Sequence, residues 1–272
     1  MSVSDGHECT PSDSSVGAPS RRRSLDDSMG VQQVLSTLRT FRGVEEGQAL
    51  TLNSCRLTIA EIENVSQMAV ADVLRGYKIE VDDGIIVVMP PPSEPHERAA
   101  LAFTRMFDRF FSQLNPEIIV VHGGGAGVHV PPRPTYLSPD GQWSAAGVAM
   151  RPRVILEVNR RVCLEALHAR KDVWFGVAQV QMVLLVHLYD QPQQLFEVWE
   201  RVVPGGAPVL ASACNFGDLV ACVAHPGAGL CVGPGTHVVE IPTAPFFDPP
   251  AVPIPGHVPA RVQLDLWNVK SA

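Results

Sequence analysis

The segment from Arg153 to Asn159, RVILEVN, constrains this chain most, because its side chains alternate between the two faces of an extended strand. Val154, Leu156 and Val158 share one face, while Ile155, Glu157 and Asn159 share the other. A carboxylate and an amide therefore stand together on one side of a core strand. A helix is predicted over Leu164 to Phe175, ending at Gly176. The very apolar run Met182 to Leu188 then reads as a second strand, and Gln194 to Glu200 as its hairpin partner beyond Asp190, Gln191 and Pro192.

Upstream, Thr58 and Glu61 have the spacing at which each side chain satisfies the other's free backbone N–H, so a helix is predicted to start at Ile59. Tyr77 to Val81 and Ile85 to Met89 flank the turn residues Asp82, Asp83 and Gly84 and predict a hairpin that stops at Pro90, Pro91 and Pro92. Ser93 can cap the next helix, Pro95 is tolerated in its first turn, and Glu94 and Glu97 complement its dipole. Ala100, Phe103, Phe107, Phe110 and Leu114 recur at three and four and define its apolar face, which His96 opens. Short strands are predicted over Ile118 to Val121 and Val128 to Val130, around Gly123, Gly124, Gly125 and Gly127. A phosphate loop needs a helix directly after its glycines, and here Val128 to Pro132 follow, so a flexible β-turn is the better reading.

Composition sets the boundaries. Residues 1–45 are rich in Ser, Asp and Gly, bury too little apolar surface to offset their ordering entropy, and read as a disordered tail, with a short helix near Val31 to Leu38. Arg21, Arg22, Arg23 and Ser24 in it read as a nuclear-import or phosphorylation patch, or simply as solvated charges. Residues 46–241 form one α/β domain, and 242–272, too proline-rich for a regular helix or central strand, read as an extended arm that packs on the core or reaches a partner. The net charge of −7 excludes a broadly basic nucleic-acid coat but leaves room for a local groove. Six cysteines without a C-x-x-C pair signal neither zinc nor a disulfide framework. No secretory signal or membrane-length apolar run is evident, so a soluble intracellular protein, in cytoplasm or nucleus, is expected.

The segments DDGIIVVMPPPSEPHE at 82–97, SPDGQW at 138–143, RPRVILEVN at 151–159 and RKDVWFGVAQVQMVLLVHLYD at 170–190 carry a resemblance in their joint order. Over about residues 56–232 the chain resembles the bacterial "putative restriction endonuclease" family, a branch of the PD-(D/E)XK nuclease superfamily. The resemblance implies a restriction-endonuclease-like core, a central mixed β-sheet flanked by helices. It also implies that Asp140 and Glu157 hold Mg²⁺ or Mn²⁺, a hard cation that activates water against a DNA phosphodiester. Read without that context, Asp140 is a turn aspartate before Gly141 and Glu157 a carboxylate on a wet sheet face.

The superfamily's lysine, two residues after the glutamate, is here Asn159, which can bond a water but brings no charge. Lys171 on the following helix is the substitute candidate, since Leu164, Leu167, Lys171 and Trp174 form one stripe; otherwise it extends to solvent from the stripe's rim. His96 and Glu97 stand where the family keeps a polar residue beside its site, and Arg160 and Arg161 could meet phosphates. The expected function is a metal-dependent DNA endonuclease, with a homodimer pairing two sites. The alternatives are a nuclease-like domain that has lost cleavage and binds nucleic acid or protein, and an unrelated α/β protein that assembles through its proline-rich arm.

Overall fold

The computed structural model describes Ser36 and residues 50–52, 78–82, 85–89, 91–114, 120–124, 127–132, 135–145, 151–160, 163–188, 194–203, 205–217, 231–247 and 253–271. The tail around Arg21 to Ser24, the helix predicted at Ile59, Gly125 and Arg161 lie outside the described residues, as does all but Ser36 of the helix near Val31 to Leu38. In chain order the elements are β1 (Leu50–Leu52), β2 (Lys78–Asp82), β3 (Ile85–Met89), α1 (Glu94–Leu114), β4 (Val120–His122), β5 (Val128–Val130), β6 (Thr135–Leu137), β7 (Gly141–Ala145) and β8 (Val154–Asn159). They continue with α2 (Leu164–Phe175), β9 (Met182–Leu188), β10 (Gln194–Glu200), β11 (Val209–Asn215), β12 (Val238–Pro242), β13 (Arg261–Asp265) and α3 (Trp267–Lys270).

The central six-stranded sheet has the order β11-β10-β9-β8-β7-β4 and is mixed, since β8 and β9 pair in parallel and the other neighbours are antiparallel. A parallel pair needs a crossover, which α2 supplies between β8 and β9. The alternation read in β8 separates two apolar layers. Val154, Leu156 and Val158 meet Ala99, Phe103 and Phe107 of α1, while Ile155 meets Leu167 and Trp174 of α2 with Val128 and Leu137 of β5 and β6. Both faces of β8 are thus covered. Glu157 is 5% exposed and does not lie on a wet face.

A second sheet, β1-β3-β2-β6-β5, carries the predicted hairpin, with Lys78 opposite Met89 and Asp82 opposite Ile85. In α1 the buried seam runs through Ala99, Ala102, Phe103, Phe107 and Phe111, so of the predicted stripe Phe103 and Phe107 lie in the seam while Ala100, Phe110 and Leu114 are partly buried at its flank. Glu97 N–H bonds the Ser93 carbonyl at 3.0 Å, as expected if Ser93 caps α1. The glycine segment leads into strand β5, not a helix, and Gly124 has a φ of +57°, which suits a turn. A side chain at Gly127 would displace the Tyr136 ring, which lies 1.9 Å from where its Cβ would be. Among the described residues Cys163, Cys214 and Cys231 are free thiols, and no helix is long and apolar enough to cross a membrane.

The C-terminal segment corrects the reading of an extended arm. Strand β12 crosses the expected boundary at 241/242 and pairs with β13, Val238 opposite Asp265 and Pro242 opposite Arg261. Phe246 lies between them in sequence and is fully buried, its ring centroid 5.1 Å from that of Phe107 and 5.0 Å from that of Phe111. The prolines interrupt regular structure around it but do not keep aromatic residues from the core. Phe246→Ala should therefore cost about 3–5 kcal/mol in urea denaturation. A change within about 0.5 kcal/mol, normal for exposed positions, would show that this segment does not close the core.

Candidate active site

Strand β8 outlasts β7 at one end, and Asp140 fills the gap. Its N–H bonds the Leu156 carbonyl at 3.0 Å, extending the ladder by one step, and its Oδ2 then accepts the next N–H on β8, from Val158, at 2.7 Å. The carboxylate is thereby fixed beside the residue that follows Glu157. Lys78 Nζ approaches Asp140 Oδ1 at 3.3 Å, and His96 Nε2 lies 3.2 Å from Oδ2. Lys78 comes from β2, where it shares a face with Glu80 while Ile79 and Val81 fill the other. His96 comes from the first turn of α1.

Glu157 accepts the Trp174 indole N–H at 2.6 Å and the Arg170 Nε–H at 3.2 Å, both on Oε1. The Arg170 fork also engages Glu80, with Nη1 2.7 Å from Oε2 and Nη2 paired with Oε1. Glu80 Oε1 takes a further hydrogen bond from Ser138 N–H at 3.2 Å. One cluster thus unites β2, β8, the turn before β7, α1 and α2. Its carboxylates lie beneath: the side chains of Glu80, Asp140 and Glu157 are each 7% exposed, against 20% for Lys78, 22% for Arg170 and 15% for His96. Within the cluster the more exposed groups are the basic ones.

Burial raises the Glu157 pKa above the ordinary carboxylate value, and the positive charges of Arg170 and Lys78 offset this only in part. Burial acts on Asp140 in the same sense but is overcome by Lys78, His96 and the Val158 N–H, which hold that carboxyl well below the usual range. Burial opposes charge on Lys78 as well, yet Asp140, Glu157 and Glu80 raise its pKa. His96 follows the same pattern: burial opposes its protonation, and Asp140 raises its pKa above the ordinary histidine value.

The structure brings together Asp140, Glu157 and His96 of the expected residues. Asn159 is half-buried at the end of β8, opposite His187 on β9. Glu97 is exposed and contributes no side-chain bond to the cluster. Lys171 is buried on the predicted stripe, 6% exposed, but its Nζ lies 3.9 Å from the centre of the Trp199 ring and 2.7 Å from Asp172 Oδ1. The cation that α2 sends to the carboxylates is Arg170. It flanks the stripe one helical turn before Trp174, its guanidinium 5.5 Å from that ring. The sequence reading missed Lys78, Glu80 and Arg170. Alternation of Lys78 and Glu80 with Ile79 and Val81 looks like an ordinary solvated strand face, and Arg170 lies off the apolar stripe.

Hard dications prefer carboxylate oxygens, which Asp140 and Glu157 possess. In this arrangement the residues do not fit one. Asp140 Oδ2 and Glu157 Oε1 each already accept two bonds or ion-pair contacts, both Glu80 oxygens face Arg170, and two permanent cations stand among three carboxylates. Among the described residues no group of three or more His, Cys, Asp or Glu is placed to hold a metal ion.

Residues 63–218 match the Uma2 family, described as "Putative restriction endonuclease". A solved structure from Anabaena variabilis ATCC 29413, titled as a putative nuclease belonging to DUF820, aligns at 12% identity over 71% of this chain and 89% of that one, with a TM-score of 0.41. No curated protein matches.

The His96–Asp140 contact has a testable pH signature. A histidine pKa raised in the folded state contributes stability that is fully present below the unfolded value, about 6.5, and is lost as pH rises through the folded value. Asp140→Asn should abolish this contribution and, with burial then weakly opposed, lower the His96 pKa in an NMR titration of its ring protons. An unchanged His96 titration would contradict the pairing.

Proposed function

From the premise that the chain belongs to the Uma2 family, we propose that it is an endonuclease hydrolysing DNA phosphodiester bonds at the Asp140–Glu157 cluster. The observation that carries this reading is the convergence of Asp140 and Glu157 under a cationic rim of Lys78, Arg170 and His96. Keeping several ionised groups out of water costs several kcal/mol each before pairing, and such clusters concentrate at functional sites.

Each residue has a role within that reading. Lys78 and Arg170, the most exposed members, meet the phosphate and stabilise the negative charge that develops on its oxygens. Glu157, its pKa raised by burial, accepts a proton from the attacking water as that oxygen bonds to phosphorus and the bond to the leaving nucleotide oxygen breaks, the leaving oxygen taking its proton from solvent. Asp140 is a positioning residue that holds Lys78 and His96 in place. The side chains alone carry these roles, because the paired cluster does not fit Mg²⁺ or Mn²⁺ as it stands. A homodimer would place two such sites for cutting both strands.

The second reading, a nuclease-like domain that binds nucleic acid or protein without cutting, is favoured by Asn159 in the superfamily's lysine position and by carboxylates already neutralised from within. Cleavage of supercoiled and single-stranded DNA, measured with Mg²⁺, with Mn²⁺ and with chelator, separates the two. The nuclease reading expects cleavage that falls at least about 100-fold in Glu157→Ala and in Asp140→Ala, the scale of losing a general base or a charge-positioning group. Folded wild-type protein that cuts under none of these conditions would leave the binding reading.

A further inference from the structure

We infer that Arg170 is the resident counter-ion of this site, standing where a dication would bind and closing the free protein to Mg²⁺ and Mn²⁺. The inference concerns the residues of the proposed nuclease site but not its activity, and it holds whether or not the site cuts DNA.

Three features support it. The first is geometry. Arg170 joins Glu80 and Glu157 through one planar group, with Nη1 2.7 Å from Glu80 Oε2, Nη2 on Glu80 Oε1, and Nε 3.2 Å from Glu157 Oε1. A guanidinium held on two carboxylates in this way directs its positive charge at the oxygens a hard cation would need. The second is preorganisation. Arg170 also reaches the Ser138 carbonyl at 3.4 Å and lies over Trp174, whose indole N–H fixes the same Glu157 oxygen at 2.6 Å. An ion would have to displace a group bonded on several sides. The third is charge. Glu80, Asp140 and Glu157 sum to three negatives, Arg170 with Lys78 returns two positives, and a protonated His96 returns a third. That leaves little or no net negative charge to offset the dehydration of a dication, where the three acids alone would attract one strongly.

Removing the Arg170 charge should reverse each of these. Glu157 and Glu80 would then be buried without their partner, a condition that a bound dication relieves. The ion site is therefore latent in the fold, and Arg170 keeps it shut.

The experiment is Mn²⁺ binding to the full chain without DNA, read by electron paramagnetic resonance of free Mn²⁺ and by the ion's effect on Tm. Wild type is expected to bind no Mn²⁺ at millimolar ion and to show no rise in Tm. Arg170→Gln should gain one bound Mn²⁺ per chain and a Tm that rises with Mn²⁺, both lost again when Glu157→Gln is added. Because Arg170→Gln leaves Glu80 unpaired and can fail to fold, the double variant Arg170→Gln/Glu80→Gln is measured beside it. That variant removes one charge of each sign, leaves Asp140 and Glu157 for the ion, and is expected to gain the same single Mn²⁺. Binding of Mn²⁺ by wild type at this cluster, shown by its loss in Glu157→Gln, would overturn the inference. So would folded Arg170 variants that bind none. Ion binding is read without substrate, so a protein that never cuts DNA still tests it.

Discussion

The Asp140 carboxylate accepting the Val158 N–H is the contact on which the candidate site depends. It takes over the β7–β8 ladder where β7 begins, one residue past Glu157, so an aspartate that composition alone assigns to a turn becomes part of the sheet. Once fixed there, it draws Lys78 from β2 and His96 from α1 onto its two oxygens. The second sheet and the first helix are thereby tied to the end of the central one through a single side chain.

The cost of this arrangement explains its internal pairing. Three carboxylates brought under cover would each repel the others, and the fold answers with Lys78, Arg170 and a histidine whose pKa is raised. Arg170 serves two acids at once and stacks near Trp174, whose N–H serves one of them. Such a network is strong when complete and costly when any member is missing, because each deletion leaves a buried charge unpaired. The same pairing occupies Glu157 Oε1 and both oxygens of Asp140 and Glu80, most of the oxygens a metal ion would use.

Much of the scaffold was legible from periodicity. The two faces of β8, the ends of α2, the run of β9 and its hairpin with β10 follow from spacings of two and of three to four. Asp140 and Glu157 came from the resemblance rather than from pattern, since each alone resembles a surface acid. The rest was hidden for identifiable reasons. Lys78 and Glu80 alternate with buried residues as solvated charges do, and only the packing of β2 over β8 and α2 encloses them. Lys171 satisfied the stripe argument and is buried as that argument required, but the sheet beneath it presents Trp199 and not the carboxylates. Helical phase placed Arg170 on the flank facing β2, a distinction that needs the position of the neighbouring sheet. The C-terminal prolines suggested an arm because they forbid regular structure; they say nothing about Phe246, whose burial depends on α1 and Trp143.

The central claim is that Arg170 and Glu157 are bonded partners in a buried, mutually neutralising cluster. A double-mutant cycle over Arg170→Met, Glu157→Gln and the combination, measured by chemical denaturation, tests it most directly. The expected coupling is on the order of 2–3 kcal/mol, with the double variant more stable than the sum of the singles implies. Additivity within about 0.5 kcal/mol would mean the two groups do not share a site in solution, and the account of the cluster would fail with it.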